Sequence, residues 1–449
     1  MTRTVIIGGG LAGGGVAARL AALGRPALLL EREAGAHDKI CGEFLSVEAG
    51  QHLASLGLDV ARLGGARIDT MRLHVGKRTA VARLPFVATG VTRRSLDAAL
   101  LDHAAALGAD VQRGVAVRGL AQGRAVTALG EIGGGAVVLA TGKHELRGLA
   151  RDPEGTIADL IGFKMFFKAT PKLRAALAGA VTVTAYEGGY AGLQCVENDR
   201  LNLCLLVEQA RFKALGGRWE TLFAALLHEP GLQLLADAEA LLPRPLTISG
   251  VPYGYLYRAM ARRTAATAGN AAEIGGKTAE TQGESGHDAG VMAGLRAEKF
   301  GFVRENSRES RGFDVETVDQ GGVAVGYRGS AAPFAGGIGR ESPQDPLWRV
   351  GDQAAVIPSF CGDGMAMALH GARLAADRLA AGAAPADFQD RLHADVARQV
   401  RLATNLQRVA NSRAGRFALI NGLAAVPGAL GLLARWTRVA PQAVARAGA

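Results

Sequence analysis

Thr4-Val5-Ile6-Ile7-Gly8-Gly9-Gly10-Leu11-Ala12-Gly13 stands near the start of the chain, and its reading decides the fold. The apolar run at residues 4–7 suits a strand buried on both faces of a parallel sheet. It leads without a break into G-x-G-x-x-G, formed by Gly8, Gly10 and Gly13. A helical pattern follows, with Val16, Leu20 and Leu23 on one side and Gly24 at its end. A second apolar run, residues 27–30, then stops at Glu31. Each part has a mechanical task in a dinucleotide site. Gly8 permits the tight turn, Gly10 lets backbone approach a pyrophosphate, and Gly13 lets the helix pack closely on the strand. The helix N-terminus offers N–H groups and a positive dipole to phosphates. Glu31, about twenty residues on, can accept hydrogen bonds from ribose hydroxyls. Strand, glycines, helix, strand and terminal acid in that order separate this fingerprint from a chance Gly-rich turn.

A distant segment narrows the nucleotide. Leu347-Trp348-Arg349-Val350 is strand-like and ends in Gly351-Asp352, while Cys361-Gly362-Asp363-Gly364 precedes an Ala-rich helical pattern at residues 365–379. An Asp at a strand end can hydrogen-bond the ribityl chain of a flavin. The glycines bring helix N-terminal N–H groups against the flavin pyrimidine edge, where reduction leaves negative charge.

These two segments together resemble the flavoprotein superfamily of aromatic hydroxylases, flavin-dependent halogenases and geranylgeranyl reductases. The most similar pattern is that of the geranylgeranyl reductase-like dehydrogenase flavoproteins. Residues 39–46 (Lys39-Ile40-Cys41-Gly42-Glu43-Phe44-Leu45-Ser46) resemble the family segment that passes near the flavin. Arg93-Arg94-Ser95-Leu96-Asp97 resembles a stretch whose Arg approaches the FAD phosphates, and residues 137–142 the turn that closes the FAD domain. Residues 188–192 and 251–254 resemble substrate-domain strands facing the isoalloxazine. The resemblance implies FAD as cofactor, with NAD(P)H or another reductant as transient electron donor. It implies FAD contacts from Gly8, Gly10, Ala12, Gly13, Glu31, Arg32, Gly42, Arg93, Val117, Gly142, Gly351, Asp352, Gly362, Gly364 and Met365. Two departures count. Thr141-Gly142-Lys143-His144 stands where aromatic hydroxylases carry Asp-Gly, and the Trp-x-Trp-x-Ile-Pro motif of tryptophan-type halogenases is missing.

The expected fold class is α/β. A Rossmann-like, three-layer FAD-binding domain takes residues 1–65, 92–160 and 346–400. A smaller mixed or antiparallel sheet domain takes 66–91 and 161–258 for substrate, and helices follow at 401–449. Residues 259–345, rich in Gly, Ala, Ser, Thr, Glu and Arg, fit no part of that scheme and read as a disordered surface insertion.

Composition agrees with a folded enzyme. The chain has 449 residues, 49% hydrophobic and 20% charged, enough for more than one domain and a sizeable core. Its formal charge of +10 comes without a nucleic-acid recognition module, so nucleic acid is not an expected partner. Cys41, Cys195, Cys204 and Cys361 are widely spaced, with neither zinc spacing nor a disulfide framework. A cytoplasmic location is expected because no signal peptide precedes the first strand. The apolar residues 417–436, interrupted by Pro427-Gly428, read as packing helices or as a peripheral membrane contact. The sequence leaves the oligomeric state open.

Candidate chemistry centres on Cys41, whose thiol could protonate a substrate carbanion after hydride transfer. Glu43 could act as an acid or pair with an Arg. Tyr190, Tyr253 and Tyr255 could orient a substrate oxygen, Tyr253 being the second candidate catalytic residue. The expected function is FAD-dependent hydride transfer between flavin and a small apolar unsaturated substrate of prenyl, quinone or polyketide type. The alternative is a monooxygenase acting on an aromatic or polyketide ring. A FAD-binding protein without turnover is a third reading.

Overall fold

A computed structural model of the protein describes residues 2–258, 347–425, 431 and 436–438. The expectations for residues 259–345, and for most of the chain after 425, lie outside the described residues.

The parallel sheet has five strands in the order Leu347–Arg349, Ala136–Leu139, Thr4–Ile7, Ala27–Glu31 and Asp110–Arg113. Thr4–Ile7 is central, pairing in register with Ala27 on one side and Ala136 on the other. Its side chains alternate between two cores, as strand geometry requires. Ile6, Leu29 and Val138 point into a core shared with the helices Leu11–Ala22, Arg93–Ala106 and Gly364–Ala380. Val5, Ile7, Leu28, Leu30, Val137 and Leu139 point the other way, where a three-stranded sheet (Val117–Ala121, Arg124–Thr127, Gly130–Ile132) covers them. Two-sided burial explains why these strands read as continuous apolar runs. A Cβ on Gly13 would sit 1.9 Å from the Gly8 carbonyl oxygen, so only glycine allows this helix-to-strand approach. The three-layer, Rossmann-like fold expected from the sequence is what the chain adopts.

A second, mixed sheet has eight strands: Leu246–Ser249, Leu160–Lys168, Arg200–Glu208, Gly189–Val196, Ala180–Tyr186, Ala66–Val75, Arg78–Gly90 and Phe44–Leu45. Ala180–Tyr186 pairs with Ala66–Val75 in parallel; every other ladder is antiparallel. One face packs Phe163, Met165, Phe167, Leu201, Leu203 and Leu205 under the helices Pro171–Leu177 and Trp219–Leu226. Strand alternation turns Lys164, Phe166, Gln194, Asn202 and Cys204 to the opposite face. Phe44–Leu45 belongs to this sheet although the sequence reading assigned residues 1–65 to the FAD domain; a two-residue strand carries no periodicity to reveal it.

The boundary expected at residue 400 is also corrected. Helix Pro385–Asn411 runs through it, because Phe388, Leu392, Val396, Val400 and Ala403 form one buried stripe against the parallel-sheet core. Helix Arg413–Ala425 follows. Among the described residues no helix is long and apolar enough to cross a membrane.

Candidate functional site

At the C-terminal ends of the parallel strands lies an open cleft of about 150 Å³, the position where open α/β sheets hold ligands. A second cleft, lined by Thr4, Pro26 and Trp348, lies at the opposite strand ends. Helices Leu11–Ala22 and Gly364–Ala380 end beside it while helix Pro385–Asn411 begins there, so their dipoles oppose one another.

The first end of the main cleft suits phosphate. Gly10 precedes helix Leu11–Ala22, which has no side-chain cap and no acidic residue in its first turn, so its N–H groups are available. A Cβ on Gly10 would lie 3.2 Å from Arg93 Nη2 and 3.7 Å from Lys39 Nζ, so two cations overhang the bare backbone. Thr92 caps the next helix by accepting from the Ser95 N–H, which fixes the position of Arg93 at its first turn. Asp97 grips both cations, Arg93 Nε at 2.8 Å and Lys39 Nζ at 2.8 Å. Burial works against the Arg93 charge, but Asp97 outweighs it and holds the guanidinium above its ordinary value. Asp97 is held below the usual carboxylate range, its burial outweighed by Arg93 and Lys39. Nearby His144 is pushed down to about 4, first by burial and then by the cations Arg32, Lys39, Lys143 and Arg151. Two cations on one carboxylate, beside an uncapped helix, fit the pyrophosphate of FAD.

Glu31 stands behind this loop, 6% exposed, and accepts from the Gly9 N–H at 2.6 Å and the Glu33 N–H at 3.0 Å. Gly8 and Gly13 lie beneath the cleft and shape it without lining it. Arg32 sits outside the lining, its guanidinium on Glu33 and His144. Val117, expected as a cofactor contact, packs instead on the covered face of the parallel sheet and does not line the cleft. The expectation placed it by resemblance alone, with no local signal to support it.

The second end is formed by Gly351, Asp352, Gly362, Gly364 and Met365, all lining the cleft with Ala12 and Gly142. Arg151, its side chain fully buried, ties this wall together by donating to Asp352 O and Lys143 O, each at 2.9 Å. Gln353 Nε2 donates to Gly142 O at 2.8 Å. Helix Gly364–Ala380 also begins without a side-chain cap hydrogen bond, so a second helix N-terminus faces the cleft. A Cβ on Gly362 would strike the Phe44 ring at 2.8 Å.

Between these ends runs the loop at residues 39–43, and the second sheet grips it. Lys164 Nζ donates to Lys39 O at 2.9 Å and to Glu43 Oε1. Asn202 Nδ2 donates to Gly42 O at 2.9 Å and Cys41 O at 3.3 Å, and Gln194 Nε2 to Glu43 O at 2.8 Å. Lys164, Gln194 and Asn202 are buried, on three adjacent strands. Glu43 has φ 58°, and burial pushes its carboxyl up to about 7 although Lys164 and the Arg93 N–H pull it down. Cys41 lines the cleft with its Sγ accepting from the Glu43 N–H at 3.4 Å. Cys204, opposite Lys164 in the ladder, is pushed up to about 11 by burial. Tyr253 lines the cleft too; Tyr190 and Tyr255 pack beside it without appearing in the lining. The sequence reading missed Lys164, Gln194 and Asn202. The one signal for Lys164 was a cation within the aromatic run Phe163-Lys164-Met165-Phe166-Phe167.

No family model and no curated protein sequence matches the chain. Solved structures do. A flavoprotein/dehydrogenase from Cytophaga hutchinsonii is similar at 15% identity and TM-score 0.62, covering 100% of this chain and 98% of that one. PqsL, a probable FAD-dependent monooxygenase from Pseudomonas aeruginosa, is similar at 14% identity and TM-score 0.61, over 95% and 100%. A geranylgeranyl bacteriochlorophyll reductase-like protein from Thermoplasma acidophilum is similar at 13% identity and TM-score 0.60, over 99% and 95%. The chain therefore has the fold shared by FAD-dependent monooxygenases and reductase-like flavoproteins.

Proposed function

We propose that this protein is an FAD-dependent oxidoreductase that exchanges a hydride with a small apolar unsaturated substrate. One observation carries the reading: a single cleft joins a cationic, uncapped helix N-terminus at one end to a thiol and a buried carboxyl on the loop between its two ends. Arg93, Lys39 and the Gly10 backbone would hold the pyrophosphate, Glu31 the ribose, and Asp352 the ribityl chain. Bound there, FAD would supply two-electron hydride chemistry at its isoalloxazine ring. The helix at Gly364 would offset negative charge at the ring's pyrimidine edge. Cys41 would give a proton to the substrate carbon, its sulfur oriented by the Glu43 N–H. Glu43, titrating near neutrality, is the second acid within the same loop.

The fold likeness to a probable FAD-dependent monooxygenase supports a second reading, hydroxylation of an aromatic or polyketide ring. The test is the absorbance spectrum of the purified protein, followed by anaerobic reduction with NADH, NADPH and dithionite. Flavin colour and substrate-dependent reoxidation without O₂ support the hydride reading. O₂ consumption coupled to product hydroxylation would replace it with the monooxygenase.

A further inference from the structure

The charge of the chain is concentrated in its last stretch. Beyond Asp395 there are eight arginines and no acidic residue, so residues 396–449 hold +8 of the formal charge of +10. The stretch begins within helix Pro385–Asn411, whose buried stripe leaves Arg398, Arg401, Asn405 and Arg408 exposed at helical spacing. Helix Arg413–Ala425 follows and packs one side on the strands Ala66–Val75 and Arg78–Gly90. Its exposed positions among the described residues are Arg413, Ala414, Phe417, Ala418 and Gly422; past Arg413 none of these offers a hydrogen-bonding side chain. Phe417 is 57% exposed, with the Arg78 guanidinium 5.0 Å from its ring centroid, and Trp436 is 59% exposed. Among the described residues these are the two exposed Phe, Tyr or Trp side chains, and both fall in the acid-free stretch. Two of its arginines are used inside the protein. Arg416 caps the preceding helix by donating to Ala410 O at 3.1 Å and Asn411 O at 2.8 Å, and Arg438 pairs with Glu48 at 2.5 Å.

We propose that the outward face of helix Arg413–Ala425, with the arginine stripe of helix Pro385–Asn411, docks on an anionic lipid surface. An aromatic ring held in water beside a guanidinium, on a helix face of small and apolar residues, suits the boundary between acyl chains and headgroups. The ring inserts there while the arginines reach lipid phosphates. Charge complementarity selects the occupant. No carboxylate in the stretch would be repelled by an anionic surface, and each arginine near one adds to the attraction. A second copy of the chain would bring the same arginines against themselves. A polynucleotide carries the required charge, but past Arg413 the exposed helix face has no side chain to bond a base or a sugar. Among the described residues no helix is long and apolar enough to cross a bilayer, so the contact is one of lying on the surface. None of these residues lines the cleft over Gly10, and the inference does not rest on the flavoenzyme reading.

The test is flotation of the purified full chain with vesicles of phosphatidylcholine containing about 30% phosphatidylglycerol, and with vesicles of phosphatidylcholine alone. Partitioning onto the anionic vesicles should be at least about tenfold stronger, and should fall steeply as salt rises from about 50 to about 500 mM. Phe417→Glu, and separately Arg398→Glu with Arg401→Glu, should each weaken it about tenfold or more. Phe417→Trp should keep it, as should Arg398→Lys with Arg401→Lys, because the surface reads an aromatic ring and positive charge. These side chains are exposed, so the melting temperature should stay at the wild-type value, which separates lost docking from lost fold. No flotation with anionic vesicles at low salt, equal flotation with both kinds, or indifference to both acidic variants overturns the inference. Sedimentation velocity without lipid and retention by a DNA duplex are measured alongside. A dimer dissolved by Phe417→Glu, without vesicle binding, assigns the face to a second copy; duplex binding without vesicle binding assigns it to nucleic acid. Either result overturns the lipid assignment.

Discussion

Lys164→Met tests the most unusual electrostatic feature of the site. Lys164 and Glu43 both have side chains at 0% exposure, and they join two sheets through the loop that carries Cys41. In the folded protein the Glu43 carboxyl rises from 4.5 to about 7, chiefly by burial. Because the folded state holds that proton more tightly than the unfolded chain, this contribution is fully present below pH 4.5 and is lost as pH rises through 7. The climb corresponds to about 3 kcal/mol across that window. Removing the Lys164 ammonium takes away the largest influence pulling Glu43 down, so its carboxyl rises further. Near pH 8 the variant's carboxyl stays protonated while that of the unfolded chain is ionised, and with the lost hydrogen bonds the expected loss is about 2–3 kcal/mol. Near pH 5 the neutral carboxyl needs no counter-ion, and the loss should shrink to roughly 1 kcal/mol from the missing hydrogen bonds. Urea denaturation at the two pH values measures both. Glu43→Gln with Lys164→Met should recover most of the loss near pH 8. Equal losses at both pH values, or a loss under about 1 kcal/mol near pH 8, would refute the buried-pair argument.

Other outcomes follow from the same geometry. Cys41→Ser should keep FAD bound while turnover falls about a hundredfold or more; unchanged steady-state rates would remove Cys41 from the mechanism and promote Glu43. Glu31→Ala strips the Gly9 N–H of its acceptor and should cost about 1–3 kcal/mol in FAD affinity, measured by flavin fluorescence titration. Excising residues 260–344 with a short linker should leave FAD affinity nearly unchanged, since the flanks are held together by the Tyr257 N–H on Ala354 O at 2.8 Å. Insoluble or flavin-free protein would show that the segment is needed for the fold.

The parts of the site legible in the sequence are those whose meaning is local. Strand, glycines and helix at residues 4–23 stand in one stretch, and Gly351-Asp352 and Gly362-Asp363-Gly364 each carry their backbone requirement with them. Cys41, Gly42, Arg93 and Tyr253 do line one cleft, along with most of the expected glycines. What stayed hidden depends on sheet register. Glu43 and Lys164 are 121 residues apart, and only the pairing of eight strands brings them together. Gln194 and Asn202 look like ordinary polar positions in alternating strands until the ladder sets them side by side. The boundary at residue 400 failed for a related reason: nothing in the local sequence interrupts a helix whose buried stripe runs from Phe388 to Ala403.

The central claim is that the cleft over Gly10 is an FAD site, and equilibrium binding of FAD to the purified chain tests it most directly. Titration followed by flavin fluorescence should give saturable binding of a single FAD per chain. Arg93→Ala should weaken it about tenfold or more, because the variant removes a charged donor overhanging the pyrophosphate. Absence of saturable FAD binding, or binding indifferent to Arg93→Ala, would contradict the account.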